Sequence, residues 1–299
     1  MVITLMNRSK IADNATRLLG ELAQPVVTRY QLGLCVFQAI GTLPDLNPLE
    51  TYTQCAQDIL QRGVLRPIAG LRPSNAFSLI GTNAQDPRVL ACGIDPFCYV
   101  SHLSAMEFHG LTNRMPEILY LSTPAPKDWK AFALERMKHD LGDNVEAYRD
   151  AGLPAMQPTS FSKLLGKPVH RTASVHYGAY RVYPDQHLRV STLGRTFLDM
   201  LRAPELCGGI HHVIECFQDH AKPYLRLIAD ELDQHGSAID KVRAGYILEC
   251  LCGLSDARIE NWKTLAKRGG SRKLDPAEDY SENFSEPWCL SINVALPTE

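Results

Sequence analysis

The chain has 299 residues, 45% of them apolar and 21% charged, and a formal net charge of -2. A chain of that kind has enough apolar residues for a sizeable core, and its length suggests two domains. It is neither a uniformly basic nucleic-acid coat nor a chain too polar to fold. The nine cysteines include no CxxC pair, Met1–Met6 is too short and unbalanced for a secretory core, and no run reaches the length of a membrane span. A reducing cytosolic location, with free and mostly buried thiols and no membrane contact, is expected.

The first eighty residues read as three helices and a hairpin. Ile11, Ala15, Leu18 and Leu22 fall at helical spacing over about 8–22. Pro25 punctuates, and Thr28 can cap a second helix running to Ile40. The third, NPLETYTQCAQDILQR at 47–62, has Asn47 to cap, Pro48 for the first helical position and Gly63 for a left-handed stop. Glu50 stands where a capping box needs it. Leu49, Tyr52, Cys55, Ala56, Ile59 and Leu60 form an apolar stripe. The opposite face is Thr53, Gln54, Gln57 and Gln61, polar and uncharged where a solvated face would carry Lys and Glu. Gln can pair bidentately with adenine and Thr can meet a thymine methyl.

Two β-prone runs follow, 64–68 and 76–80, joined by AGLRPSN. Three helices and a hairpin are the parts of a winged helix–turn–helix. Its third helix would enter the major groove, and its wing would offer Arg66, Arg72, Ser74 and Asn75, with Arg62 nearby, to the DNA backbone. Residues 1–85 hold seven Lys and Arg against five acids.

GTNAQDPR at 81–88 reads as a polar linker, giving a DNA-binding domain over 1–82 and a larger domain over 83–299. In the larger domain Ser101 can cap a helix that stops at Gly110. Residues 117–122 read as a strand broken by Pro124 and Pro126, and helices are expected over 128–139 and 144–151. Residues 169–175 and 179–183 read as paired strands joined through HYG, and 187–191 as a third. The chain then reads as mostly helical to about Arg268, with a last strand over 287–294. The elements alternate without a regular βαβ period, so the class is α+β.

Two stretches of this domain, YVSHLSAMEFHGLT (99–112) and STLGRTFLDMLRAPELCGGI (191–210), resemble the AbiEi family. These are the antitoxins of type IV toxin–antitoxin systems, first associated with abortive phage infection. The more specific motif is R-T-x-L-D at Arg195, Thr196, Leu198 and Asp199, followed by P-E-L-x-G-G from Pro204 to Gly209; the run LDP at 274–276 is similar to longer members. The resemblance implies a winged helix that represses the system's own promoter by binding inverted repeats in double-stranded DNA; two copies side by side or cooperatively bound are expected, because palindromic sites match two-fold arrangements. It also implies a C-terminal domain that counters a nucleotidyltransferase-like toxin without forming a stable complex. Positive surface on that domain is implied to matter, for which Lys263, Lys267, Arg268, Arg272 and Lys273 stand in a run with five basic residues and no acid from Trp262 to Leu274.

No cofactor, metal or enzymatic activity is expected. Cys207, His211 and Glu215 recur at i, i+4, with His212 and Cys216 beside them, but no motif supplies the geometry of a zinc site. Cys98, Ser101, His102 and His109 are near one another in sequence without the orienting third group that a nucleophile needs. Arg195 and Asp199, at i, i+4, favour a structural ion pair. The alternatives are a nucleic-acid-processing enzyme targeted by a winged helix, and a winged helix that binds protein.

Overall fold

The computed structural model describes residues 2–41, 46–71, 75–82, 85–174, 177–267 and 272–295. The fold is mixed α and β. Its elements are α1 (Val2–Glu21), β1 (Val26–Thr28), α2 (Arg29–Ile40), α3 (Pro48–Gln61), β2 (Leu65–Pro67), β3 (Ala76–Leu79), α4 (Pro87–Ile94), β4 (Tyr99–Val100), α5 (His102–Phe108) and β5 (Leu119–Pro124). Then come α6 (Pro126–Leu141), α7 (Val145–Asp150), β6 (Lys163–Leu164), β7 (Lys167–Ser174), β8 (Tyr180–Tyr183), β9 (Leu188–Ser191), α8 (Leu193–Arg202), α9 (Ile210–His235), α10 (Ala238–Tyr246), α11 (Ala257–Lys263), β10 (Phe284–Ser285) and β11 (Leu290–Ser291). Packing divides the chain into two compact units. One comprises Met1–Cys98, Ser122–Val175 and Val182–Arg189, the other Tyr99–Leu121, His176–Arg181 and Val190–Glu299.

In the first unit, α1, α2 and α3 pack about Ile11, Leu19, Leu32, Val36, Tyr52 and Ile59. Tyr148 from α7 joins this core, with its ring edge-on to Phe37 at 5.3 Å. The start of α2 is doubly secured. The Thr28 hydroxyl accepts from Gln31 N, and the Gln31 side chain accepts from Thr28 N at 2.8 Å, a capping box the sequence reading had only half of. Thr28→Ala is expected to cost about 1 kcal/mol, read as a lower urea midpoint with unchanged slope.

The expected hairpin forms, β2 against β3, with Arg66 opposite Ser78. A third strand, β1, pairs with the other side of β3, so the order is β1-β3-β2. Its three residues Val26, Val27 and Thr28 are all β-branched, but a run this short leaves no periodicity to read. Gly93 on α4 lies so close to β1 that a side chain there would come within 2.5 Å of Val26 Cβ.

The expected linker at 81–88 is partly helical. Asp86 accepts from Arg88 N and caps α4, with Pro87 at the first position. Asp95, just beyond α4, is buried and accepts from Trp129 Nε1 at 3.0 Å, Phe97 N at 3.0 Å and the Arg171 guanidinium.

A six-stranded sheet has the order β6-β7-β5-β4-β9-β8. The pairing expected between 169–175 and 179–183 is not made. β7 instead takes the nearer β6, antiparallel, and β8 takes the nearer β9. Two residues alone join β6 to β7, and so short a loop costs little entropy to close. The strand expected over 117–122 continues through Pro124, and that expected over 287–294 is reduced to β11, which pairs with β10.

The second unit is mostly helical about Phe197, Phe217, Ile228, Leu248 and Trp288. Gly194 lets α8 approach α9, since a side chain there would meet the Leu227 carbonyl at 2.4 Å. No described helix is long and apolar enough to cross a membrane. All nine cysteines are free, six of them buried, and Cys250 is exposed.

Candidate nucleic-acid interface

The third helix is built as its residues dictate. Asn47 caps it by accepting from Glu50 N at 3.1 Å, and Gly63 leaves it at a φ of +72°. Tyr52, Cys55 and Ile59 enter the core, and burial raises the Tyr52 pKa. Thr51 is buried where the stripe predicted Leu49, and Leu49 is half-exposed. The apolar stripe is therefore turned by about half a step from the one read in the sequence.

The four polar residues of the outer face differ in what they can offer. Gln57 and Gln61 are exposed and make no hydrogen bond among the described residues. Thr53 is also exposed, but its hydroxyl donates back to the Leu49 carbonyl at 2.9 Å. Gln54 is half-buried and donates to Glu50 Oε1 at 2.9 Å. A base edge would find two uncommitted amides, one turn apart on one helix face.

The expected backbone contacts divide similarly. Arg66 is exposed on β2. Arg62 stands between two carboxylates, Asp58 on its own helix, with Nε to Oδ1 at 2.9 Å, and Asp13 on α1. Both pairings hold its charge in place, so it is a poorer phosphate ligand than its position in the sequence suggested. Asn75 accepts Arg29 N on its backbone carbonyl. Arg72 and Ser74 lie outside the described residues.

Of the C-terminal basic run, Lys263 alone is paired with carboxylates among the described residues. Lys263 Nζ bonds Glu249 at 2.5 Å and Glu260 at 3.0 Å and stands 5.7 Å from the Trp288 ring centroid. Arg272 donates to the Leu265 carbonyl and Lys273 to the Glu278 carbonyl. Lys267 is exposed, and Arg268 lies outside the described residues. Of the two acids that meet Lys263, Glu260 lies on α11 itself and Glu249 in an earlier segment, both outside the run over which the charge was counted.

The family-motif pair Arg195 and Asp199 is buried on α8, with Nε to Oδ1 at 2.8 Å. Glu231 on α9 is buried close by, and burial raises its carboxyl above its ordinary pKa. Ser101 occupies the N-cap position of α5, but its hydroxyl lies 2.8 Å from His102 Nδ1 instead of capping the helix. His102 takes a positive φ of 50°. Both residues are closed from solvent, which denies them the access a nucleophile needs. His109 Nε2 is 2.7 Å from the Ser191 carbonyl, and burial lowers its pKa. A carbonyl only accepts, so Nε2 carries the proton. His212 and Cys216 are 3.8 Å apart, and no group of three or more His, Cys, Asp or Glu among the described residues could hold a metal.

No family model and no curated protein sequence matches the chain. The crystal structure of the RV2827C protein from Mycobacterium tuberculosis is similar to it with a TM-score of 0.49 at 13% identity, over 95% of this chain and 90% of that one.

A second basic signal was available in the sequence outside the residues expected to bind. From Ala151 to Pro184 there is no Asp or Glu, while Lys163, Lys167, Arg171 and Arg181 all fall there. Within this stretch Arg171 is paired with Asp95 and stands 4.8 Å from the Phe161 ring centroid.

Proposed function

We propose that the protein is a DNA-binding autorepressor and antitoxin of the AbiEi type, with a winged helix–turn–helix formed by α1, α2, α3 and the β1-β3-β2 sheet. The observation that carries the DNA-binding part is the outer face of α3, where Gln57 and Gln61 are exposed and uncommitted while the opposite face is fixed in the core. An amide with both donor and acceptor free can make the bidentate contact that distinguishes adenine from the other bases. Two copies on an inverted repeat would read the two half-sites. The antitoxin part rests on the likeness of 99–112 and 191–210 to the family.

Replacing Gln57 and Gln61 with Ala tests the reading. Each good bidentate contact supplies about 1–3 kcal/mol of discrimination. The double variant is therefore expected to lose roughly tenfold or more of its preference for the DNA upstream of its own operon over a scrambled duplex, with its fold intact by circular dichroism. An unchanged preference would overturn the assignment of α3. For the antitoxin activity, co-expression with the neighbouring gene should restore growth. Undiminished toxicity would count against it.

A further inference from the structure

Two thiols of the first unit stand apart from the other cysteines. Cys92 lies on α4, and Cys98 follows the turn that ends it, where Cys98 N donates to the Asp95 carbonyl at 3.3 Å. One side chain folds this turn back on the helix. Arg189 donates from Nη2 to the carbonyls of Cys92 at 2.6 Å and Asp95 at 2.7 Å, and from Nε to that of Cys98 at 2.7 Å. A single guanidinium therefore gathers the backbones of both cysteines. Their side chains converge as well, since Cys98 Sγ donates to the Ala91 carbonyl at 3.4 Å, one peptide unit before Cys92. Two cysteines can be bridged only where the chain already brings them together in this way.

Each thiol is the main influence on the other. The neighbouring Cys98 thiol brings Cys92 down to about 7 against the effects of burial and Asp95, with help from Arg189, and Cys92 in turn pushes Cys98 up. Burial pushes Cys35 and Cys252 up to about 11 and Cys216 up to about 12, which keeps those thiols protonated and inert. Cys92 also lines a groove of about 1370 Å³ in the first unit, with Pro25, Val26, Leu34, Ile94 and His187, whereas Cys98 is fully buried. A small oxidant in the groove meets Cys92 first. The bond from Cys98 Sγ to the Ala91 carbonyl is dispensable, because Asp95 N donates to the same oxygen at 3.0 Å.

We propose that Cys92 and Cys98 are a peroxide-reactive dithiol that closes to an intramolecular disulfide. This goes beyond the function proposed above and does not rest on it. The Cys92 thiolate attacks one oxygen of hydrogen peroxide and the O–O bond breaks. Cys92 becomes a sulfenic acid, and the departing hydroxide takes up the proton that the thiol released. Cys98 Sγ then attacks the Cys92 sulfur, the S–O bond breaks, and the hydroxide leaves as water with the Cys98 proton. Two thiols have lost two electrons, and peroxide has become two waters. The new bond would pin the end of α4, which packs on β1 through Gly93.

The test exposes the full, reduced chain to hydrogen peroxide under native conditions, caps the remaining thiols with iodoacetamide and maps the digest by mass spectrometry. The expected product is a Cys92–Cys98 disulfide, lighter than the dithiol by two hydrogens. In Cys98→Ala the reaction should stop at a Cys92 sulfenic acid, which dimedone traps. In Cys92→Ala, Cys98 should stay reduced. The rate of disulfide formation should rise roughly tenfold from pH 6 to pH 8 and then level off, whereas a thiol of ordinary or raised pKa gains more than that and keeps rising.

The proposal is overturned if wild type leaves Cys92 and Cys98 reduced while the exposed Cys250 is oxidised. It is overturned equally if the two join only after the chain is unfolded in urea. Both of these results come from wild type alone, so they hold whether or not either alanine variant folds.

Discussion

Trp288→Ala is expected to lower the stability of the second unit by about 3–5 kcal/mol. On a unit of this size that is a fall in Tm on the order of 10 °C. Trp288 is fully buried, donates from Nε1 to Glu249 Oε2 at 2.8 Å, and lies under the Lys263 ammonium. Its removal leaves a cavity and withdraws the donor from Glu249. The ring also explains Gly245 on α10, where a side chain would come within 2.0 Å of Trp288 Cη2. Gly245→Ala alone should therefore destabilise by about 1–3 kcal/mol, against the gain of roughly 1 kcal/mol that alanine brings to a solvated helix position. In the Trp288→Ala background the clash has gone, and the same substitution should become neutral or stabilising. A double-mutant cycle by urea melts reads the difference directly. If Gly245→Ala cost the same in both backgrounds, the close approach of α10 to Trp288 would be wrong.

Asp199→Ala is expected to cost a further large amount, about 3–5 kcal/mol. It leaves the Arg195 guanidinium in a site where both partners are at most 4% exposed. The pair itself contributes much less than that figure, because burying two charges offsets most of their attraction. Replacing both residues at once, Arg195→Met with Asp199→Leu, should accordingly destabilise less than Asp199→Ala alone. Thermal melts of the three variants decide this. If the double replacement were the most damaging, Arg195 and Asp199 would have a role beyond that of a structural pair. The pair lies in the stretch on which the family likeness rests, so its structural role separates that likeness from any claim of chemistry there.

The parts of the fold that were legible in the sequence are those fixed by neighbours within one turn. Asn47, Pro48 and Gly63 set both ends of α3, and Arg195 and Asp199 meet because i and i+4 share a helix face. The parts that were not legible depend on partners far along the chain or on runs too short to show a period. Arg62 looked like a free cation because Asp13 is 49 residues away, and Lys263 because Glu249 comes from another element. Strand β1 has three residues and β6 two, and each is a strand only because a neighbour supplies its hydrogen bonds. The β6–β7 turn was hidden for a local reason. Its first residue is Leu165, where hairpin rules look for Asn, Asp or Gly.

The same distinction applies to the candidate site. Helical spacing along α3 separated the core face from the polar face. It could not show that Gln54 is engaged with Glu50 and Thr53 with the Leu49 carbonyl, whereas Gln57 and Gln61 are free to bind. The recognition surface proposed for α3 is therefore narrower than the four residues expected from the sequence, and it lies toward the C-terminal half of the helix.

The most direct test of DNA reading by this protein is the ratio of its affinities for the DNA upstream of its own operon and for a scrambled duplex of the same length, measured at one physiological salt concentration. A specific reader is expected to prefer its own site by about 10³-fold or more. Equal affinity for the two duplexes, or none for either, would contradict the account.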